Sequence, residues 1–136
     1  MKNRKSILII LLAGTLIPCI QSCKKYPEGP AISIHSKTAR VANTWNVEKY
    51  LVNGSYIILP ADYTETFTKE GNYYFTFGNL SGTGIWEFQN NDREIRITAI
   101  DHQSSETLYI LKLEEKQFWY FYLDGNDRHE FHMFQD

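Results

Sequence analysis

The chain reads as an all-β protein, an eight-stranded antiparallel up-and-down barrel with a short N-terminal helix. Three observations predict it. Aromatic residues make up 15% of the 136 residues, and they fall in short runs of a composition that favours sheet. Nearly every break between those runs carries Gly, Asn or Asp, the residues that tolerate the positive φ of hairpin turns. After position 44 no amphipathic stretch of helix length intervenes, so strands that follow one another in sequence are neighbours in space. Eight such strands close on themselves rather than leave two apolar edges bare.

The N-terminus lies outside that barrel. Lys2, Arg4 and Lys5 precede an apolar run from Ile7 to Ile17. The run falls short of the roughly 20 residues that a membrane-spanning helix needs, and basic, then apolar, then small is the order of a secretory signal. Both cysteines, Cys19 and Cys23, sit at its end. Ile20-Gln21-Ser22-Cys23 resembles a bacterial lipobox, whereas Cys19 follows Pro18, which suits processing poorly. The resemblance implies that residues 1–22 are a lipoprotein signal peptide and that Cys23 carries a thioether diacylglycerol and an acylated amino terminus. Several acyl chains hold a protein to a membrane far better than one. A plain secreted protein with incidental cysteines is the alternative. With Cys23 acylated, no thiol remains for disulfide or redox chemistry in the folded part.

Removing the leader takes three of the 14 basic residues and none of the 16 acidic ones, leaving a net charge of about −5. A mildly acidic domain without a basic cluster is not built for nucleic acid. Residues 23–35 are expected to be the acylated cysteine and a flexible tether, since Lys24 to Pro30 holds two lysines, two prolines and a glycine and too little apolar surface to pack. The expected address is the outer membrane. In Bacteroidota lipoproteins acidic residues soon after the acylated cysteine favour surface display. Two lysines follow here, which leaves the face undecided and favours the periplasmic side.

Residues 36–136 make the barrel domain. Ser36 caps a helix of two turns at most, reaching Asn43. The strands follow as Trp45–Val52, Tyr63–Thr68, Tyr73–Phe77, Thr83–Phe88, Glu94–Ala99, Glu106–Leu113, Phe118–Leu123 and His129–Phe134, with turns such as Asn53-Gly54 and Asp124-Gly125 between them. Alternation places Tyr73, Phe75 and Phe77 on one face, and sets Ile95, Ile97 and Ala99 against Glu94, Arg96 and Thr98. By the same rule Tyr109, Leu111 and Leu113 oppose Lys112 and Glu114. The run Phe118–Leu123 is apolar on both faces. Its outward side, Trp119 and Phe121, is either a contact surface or lies beneath the long Asn53–Asp62 connection.

Asn43-Thr44-Trp45 at the head of the first strand, after a short helical turn, resembles the Gly-x-Trp signature of lipocalins, with Asn43 in place of the glycine. Together with the lipobox, the eight-strand meander and the closing run Leu113 to Phe121, it is similar to the lipocalin-like domain of small Bacteroidota lipoproteins. The resemblance implies a small-ligand-binding or structural barrel. In lipocalins an arginine of the last strand packs over the signature tryptophan, and Arg128 is the candidate here. Trp45 is expected to close the base of the barrel.

The interior residues Tyr73, Phe75, Phe77, Ile97, Tyr109 and Leu111 are the ligand-lining candidates for a small apolar or amphipathic molecule held in the barrel mouth. The alternative is a solid barrel that meets an envelope protein partner through Trp119 and Phe121. Trp86 and Trp119, with Tyr74 and Tyr120, are also readable as an aromatic platform, against ordinary barrel packing. Catalysis finds little support. Asp62, Glu65, Glu87 and Glu106 offer carboxylates, but the bland reading is an acidic, solvated surface. His129, Glu130 and His132 do not make a metal site, because 130 and 132 share a face that 129 leaves, and zinc wants three or four donors. Asp124 to Asp127 lacks the ligand spacing of a calcium loop. No enzyme activity, metal or cofactor is expected.

Overall fold

A computed structural model describes residues 25–29, 33–101 and 103–136. The leader and Cys23 lie outside these residues. The helix α1 spans Lys37–Val41, and Ser36 caps it by accepting a hydrogen bond from the Ala39 amide at 3.1 Å. Nine strands follow: β1 Thr44–Val52, β2 Ser55–Ile57, β3 Tyr63–Phe67, β4 Asn72–Phe77, β5 Leu80–Gln89, β6 Glu94–Ala99, β7 Ser105–Leu113, β8 Gln117–Asp124 and β9 Asp127–Phe134.

From β3 to β9 each strand pairs antiparallel with the next. β1 pairs with β3 on one edge and β9 on the other, which closes a barrel of eight strands. The expected fold class is the observed one. β2 is additional: a short strand that folds back on the end of β1 through Asn53 and Gly54, both at positive φ, as a two-residue hairpin turn requires.

The two ends of the barrel differ because their inward residues differ. At one end Trp45, Phe67, Trp86, Ile95, Leu113, Phe118 and Met133 point inward and are buried. Helix α1 lies across this end: Val41 is fully buried, its carbonyl accepts from Trp45 Nε1 at 2.9 Å, and Arg40 Nη1 donates to the Leu113 carbonyl at 2.7 Å. Toward the other end β5 turns Gly82 and Gly84 inward, and Gly84 pairs with Ala99 of β6. Their neighbours approach too closely to leave room for a side chain. A Cβ on Gly84 would stand 2.5 Å from the Thr98 carbonyl oxygen, and one on Gly82 would meet the Phe75 ring at 2.3 Å.

Residues 25–29, expected to be a mobile tether, are docked. Tyr26 is 1% exposed and belongs to the core, and its hydroxyl donates to the Asp92 carbonyl at 3.0 Å. Strand β7 runs past the start of β6, whose pairing with it ends at Glu94 and Tyr109. The bare edge beyond is taken by the N-terminal segment: the Glu28 amide donates to the Leu111 carbonyl at 2.7 Å, and the Leu113 amide to the Gly29 carbonyl at 3.1 Å. Lys25 and Lys37 both pair with Asp92 beside it. A long-range edge thus outweighs the local composition.

Candidate functional site

Opposite the helix, the barrel holds a cavity of about 290 Å³ that opens to solvent. Tyr63, Glu65, Tyr73, Phe75, Ile97 and Tyr120 line its inner part, and Ser104, Ser105, Glu106 and Tyr122 line its mouth. Of the expected lining residues, Tyr73, Phe75 and Ile97 are in place. Phe77 faces inward beside Tyr63, with ring centroids 6.0 Å apart, but does not reach the cavity wall. Tyr109 and Leu111 do not line it. A bulge between Ile110 and Lys112 offsets the register of β7, so Leu108, Ile110 and Leu113 are the buried residues, and Tyr109 stacks on Phe121 outside at 4.8 Å.

The floor is polar, a buried cluster around Glu65 that the sequence reading did not assemble. Glu65, expected on a solvated surface, is 2% exposed. It sits at an inward position of β3 between Tyr63 and Phe67, with Thr64 and Thr66 on the outer face. Its Oε1 accepts hydrogen bonds from the Tyr63 hydroxyl at 2.8 Å and the Tyr73 hydroxyl at 2.6 Å, and its Oε2 accepts from Tyr120 at 2.8 Å. Burial pushes the Glu65 pKa up, since it penalises the charged form, while the three hydroxyl donors pull the other way without overcoming it. Burial, and then the Glu65 charge, raise the three phenols far above their ordinary range. At the mouth Tyr122 is pushed up to about 12, chiefly by burial. Glu106 pairs with Ile97 across the strands and so faces the mouth; loss of solvation there, then the Asp124 charge, raise its pKa.

The aromatic platform does not form. Trp86 is a core residue, 7% exposed, with Nε1 donating to the Thr68 carbonyl at 2.9 Å, and Tyr120 is inside as well. Tyr74 and Trp119 are outside on different strands. The outer face of β8 is not roofed by the 53–62 connection, which lies instead against β1, the start of β3 and Phe134. Its own neighbours cover it. Trp119 stacks on His132 at 4.0 Å beneath the Lys112 ammonium at 3.9 Å, and the Arg128 guanidinium lies 3.8 Å over Phe121. Arg128 therefore packs on Phe121 and not on Trp45. Glu130 joins the row, accepting from Arg128 at 2.7 Å and bonded to His132 at 2.8 Å. His129 faces the other way, its ring bonded to the Tyr50 hydroxyl at 2.6 Å.

Neither a protein-family profile nor a curated protein matches the chain. Among solved structures it is similar to the NMR structure of a protein from Bacteroides uniformis, at 17% sequence identity and a TM-score of 0.56, over 73% of this chain and 93% of that one. At that identity the likeness is one of fold.

Proposed function

We propose that this chain is an outer-membrane lipoprotein, anchored through Cys23, whose lipocalin-like barrel binds a small amphipathic ligand. The observation that carries the reading is the cavity of about 290 Å³ with aromatic walls and the Glu65 cluster as its floor. Apolar walls with a few convergent polar groups are the ordinary make-up of a small-molecule site. A binding role is favoured, because three phenols hold the Glu65 carboxylate in place as part of the floor. The protein-contact reading has less to stand on, since Trp119 and Phe121 are occupied by side chains of this same chain.

The reading is tested by native mass spectrometry of the protein purified from its own host. A reproducible extra mass that disappears on unfolding supports a carrier. A bare protein mass, with no ligand retained under the mildest conditions, turns the assignment toward a structural barrel.

The anchor has a geometric consequence. Tyr26 is docked at the helix-covered end, and only two residues separate it from Cys23. An extended chain covers at most about 3.6 Å per residue, so lipid on Cys23 would hold that end within roughly 11 Å of the membrane surface. The cavity mouth would then face away from the bilayer. Cys23→Ser should move the protein from the membrane fraction to the soluble one, and retention of the variant in membranes would remove the anchor.

A further inference from the structure

We infer that the cavity takes a small organic cation, an amine whose ammonium group sits on the Glu65 floor while its apolar body lies against the aromatic walls. The inference rests on the ligand-binding reading above and names the class of ligand.

The hydrogen-bond inventory of the floor points there first. A carboxylate has about four lone-pair positions. Three are filled by Tyr63, Tyr73 and Tyr120, which leaves one, on Oε2. Each of these phenols directs its only proton at Glu65, so its oxygen meets a ligand as an acceptor. With Glu65 ionised, the floor accepts and does not donate. An ammonium brings three donors and no acceptor, whereas a carboxylate or phosphate brings the reverse.

Charge separates an amine from a neutral alcohol. Among the described residues the cavity lining carries two carboxylates, Glu65 and Glu106, and no basic side chain. A buried carboxylate without an opposite charge is costly, and a ligand cation is what removes the cost. His129 is on the adjoining inner wall, outside the cavity lining, with its Nδ1 bonded to the Tyr50 hydroxyl and its ring stacked on Tyr122 at 4.9 Å. The faces of Tyr63, Tyr73 and Phe75 favour a cation over them. Glu106 and Asp124 make the approach negative, which draws cations toward the mouth. The volume of about 290 Å³ is at the small end for a ligand pocket, so the part of the ligand it holds is small.

The test is a chemical-shift titration of the purified protein with three probes of similar size: phenethylamine, phenethyl alcohol and phenylacetate. The amine should bind saturably, shift the amides of Tyr73, Phe75 and Ile97, and bind about tenfold or more tightly than the alcohol, the scale of one charged hydrogen bond. Phenylacetate should leave those amides unmoved. Glu65→Gln should bring the amine down to the affinity of the alcohol. If that variant does not fold, the comparison of probes on the unchanged protein decides alone. Equal binding of the alcohol or of phenylacetate at these residues overturns the cation and leaves the cavity a binding site. Binding by none of the three also overturns the cation; the mass measurement then tells a carrier of a non-basic molecule from a barrel with no ligand.

Discussion

Trp45→Ala should lower the stability of the fold by about 3–5 kcal/mol, the usual cost of truncating a packed aromatic. Trp45 is fully buried, its ring 5.6 Å from that of Phe118, at the end of the barrel covered by α1. Two losses combine. The ring leaves a void between the helix and the first strand, and the Val41 carbonyl near the end of α1 loses the Nε1 donor it holds at 2.9 Å. A helix of five residues has no stability of its own, so it should loosen with the tryptophan that seats it. Urea unfolding checks this, with the slope watched for a change in the denatured state. A loss under about 1 kcal/mol would take Trp45 out of the core. Trp119→Ala is the control: its ring lies on the outer face under Lys112 and against His132, and its loss should cost clearly less, on the order of 1–2 kcal/mol.

The fold was legible because the signals for it are local. The eight barrel strands, the Ser36 cap and the turns at Asn53-Gly54 and Asp124-Gly125 all lie where neighbouring residues place them. What was missed depends on partners far away in sequence. The segment 25–29 docks because β7 outruns β6, which no composition of its own reveals. One bulge at Ile110–Lys112 reverses the faces upstream of it, so alternation counted back from Leu113 turns Tyr109 the wrong way. The inward face of β5 begins with Gly82 and Gly84 and does not read as apolar, which hid Trp86 on the same face while Ile85 is 45% exposed. Glu65 is the largest difference, since it reads as one of several solvated carboxylates and is buried. A signal for it existed: Tyr63 and Phe67 flank it at period two, and Thr64 and Thr66 hold the other face. A carboxylate between aromatic residues on a strand face is buried when phenols can reach it, and here two of the three come from β4 and β8.

The second large effect is a dependence of stability on pH that belongs to Glu65. Unfolded, this carboxyl titrates near 4.5; folded, burial raises its pKa, against the pull of Tyr73, Tyr120 and Tyr63. Between those two values the folded state binds the extra proton, so stability falls as pH rises. The contribution is complete below pH 4.5, where both states are protonated, and is lost as pH climbs through the folded value. Each unit of separation amounts to about 1.4 kcal/mol. Glu106 is also raised and acts in the same direction, so Glu106→Gln is the companion variant. Glu130 acts on the other side. Burial pushes it up, but hydrogen bonds from His132 and Arg128 hold its pKa below the ordinary value, so its contribution is lost as pH falls. Glu65→Gln keeps the volume and an acceptor for the phenols while removing the charge. Its stability should therefore fall less steeply with rising pH than the parent's, keeping the slope that Glu106 contributes, and the gap from the parent protein should widen with pH in the variant's favour. Parallel curves for the two proteins would mean that Glu65 ionises as freely inside the barrel as in the unfolded chain. An ammonium ligand should close the gap from the parent's side, because a cation on the floor gives the ionised carboxylate the partner that the barrel withholds.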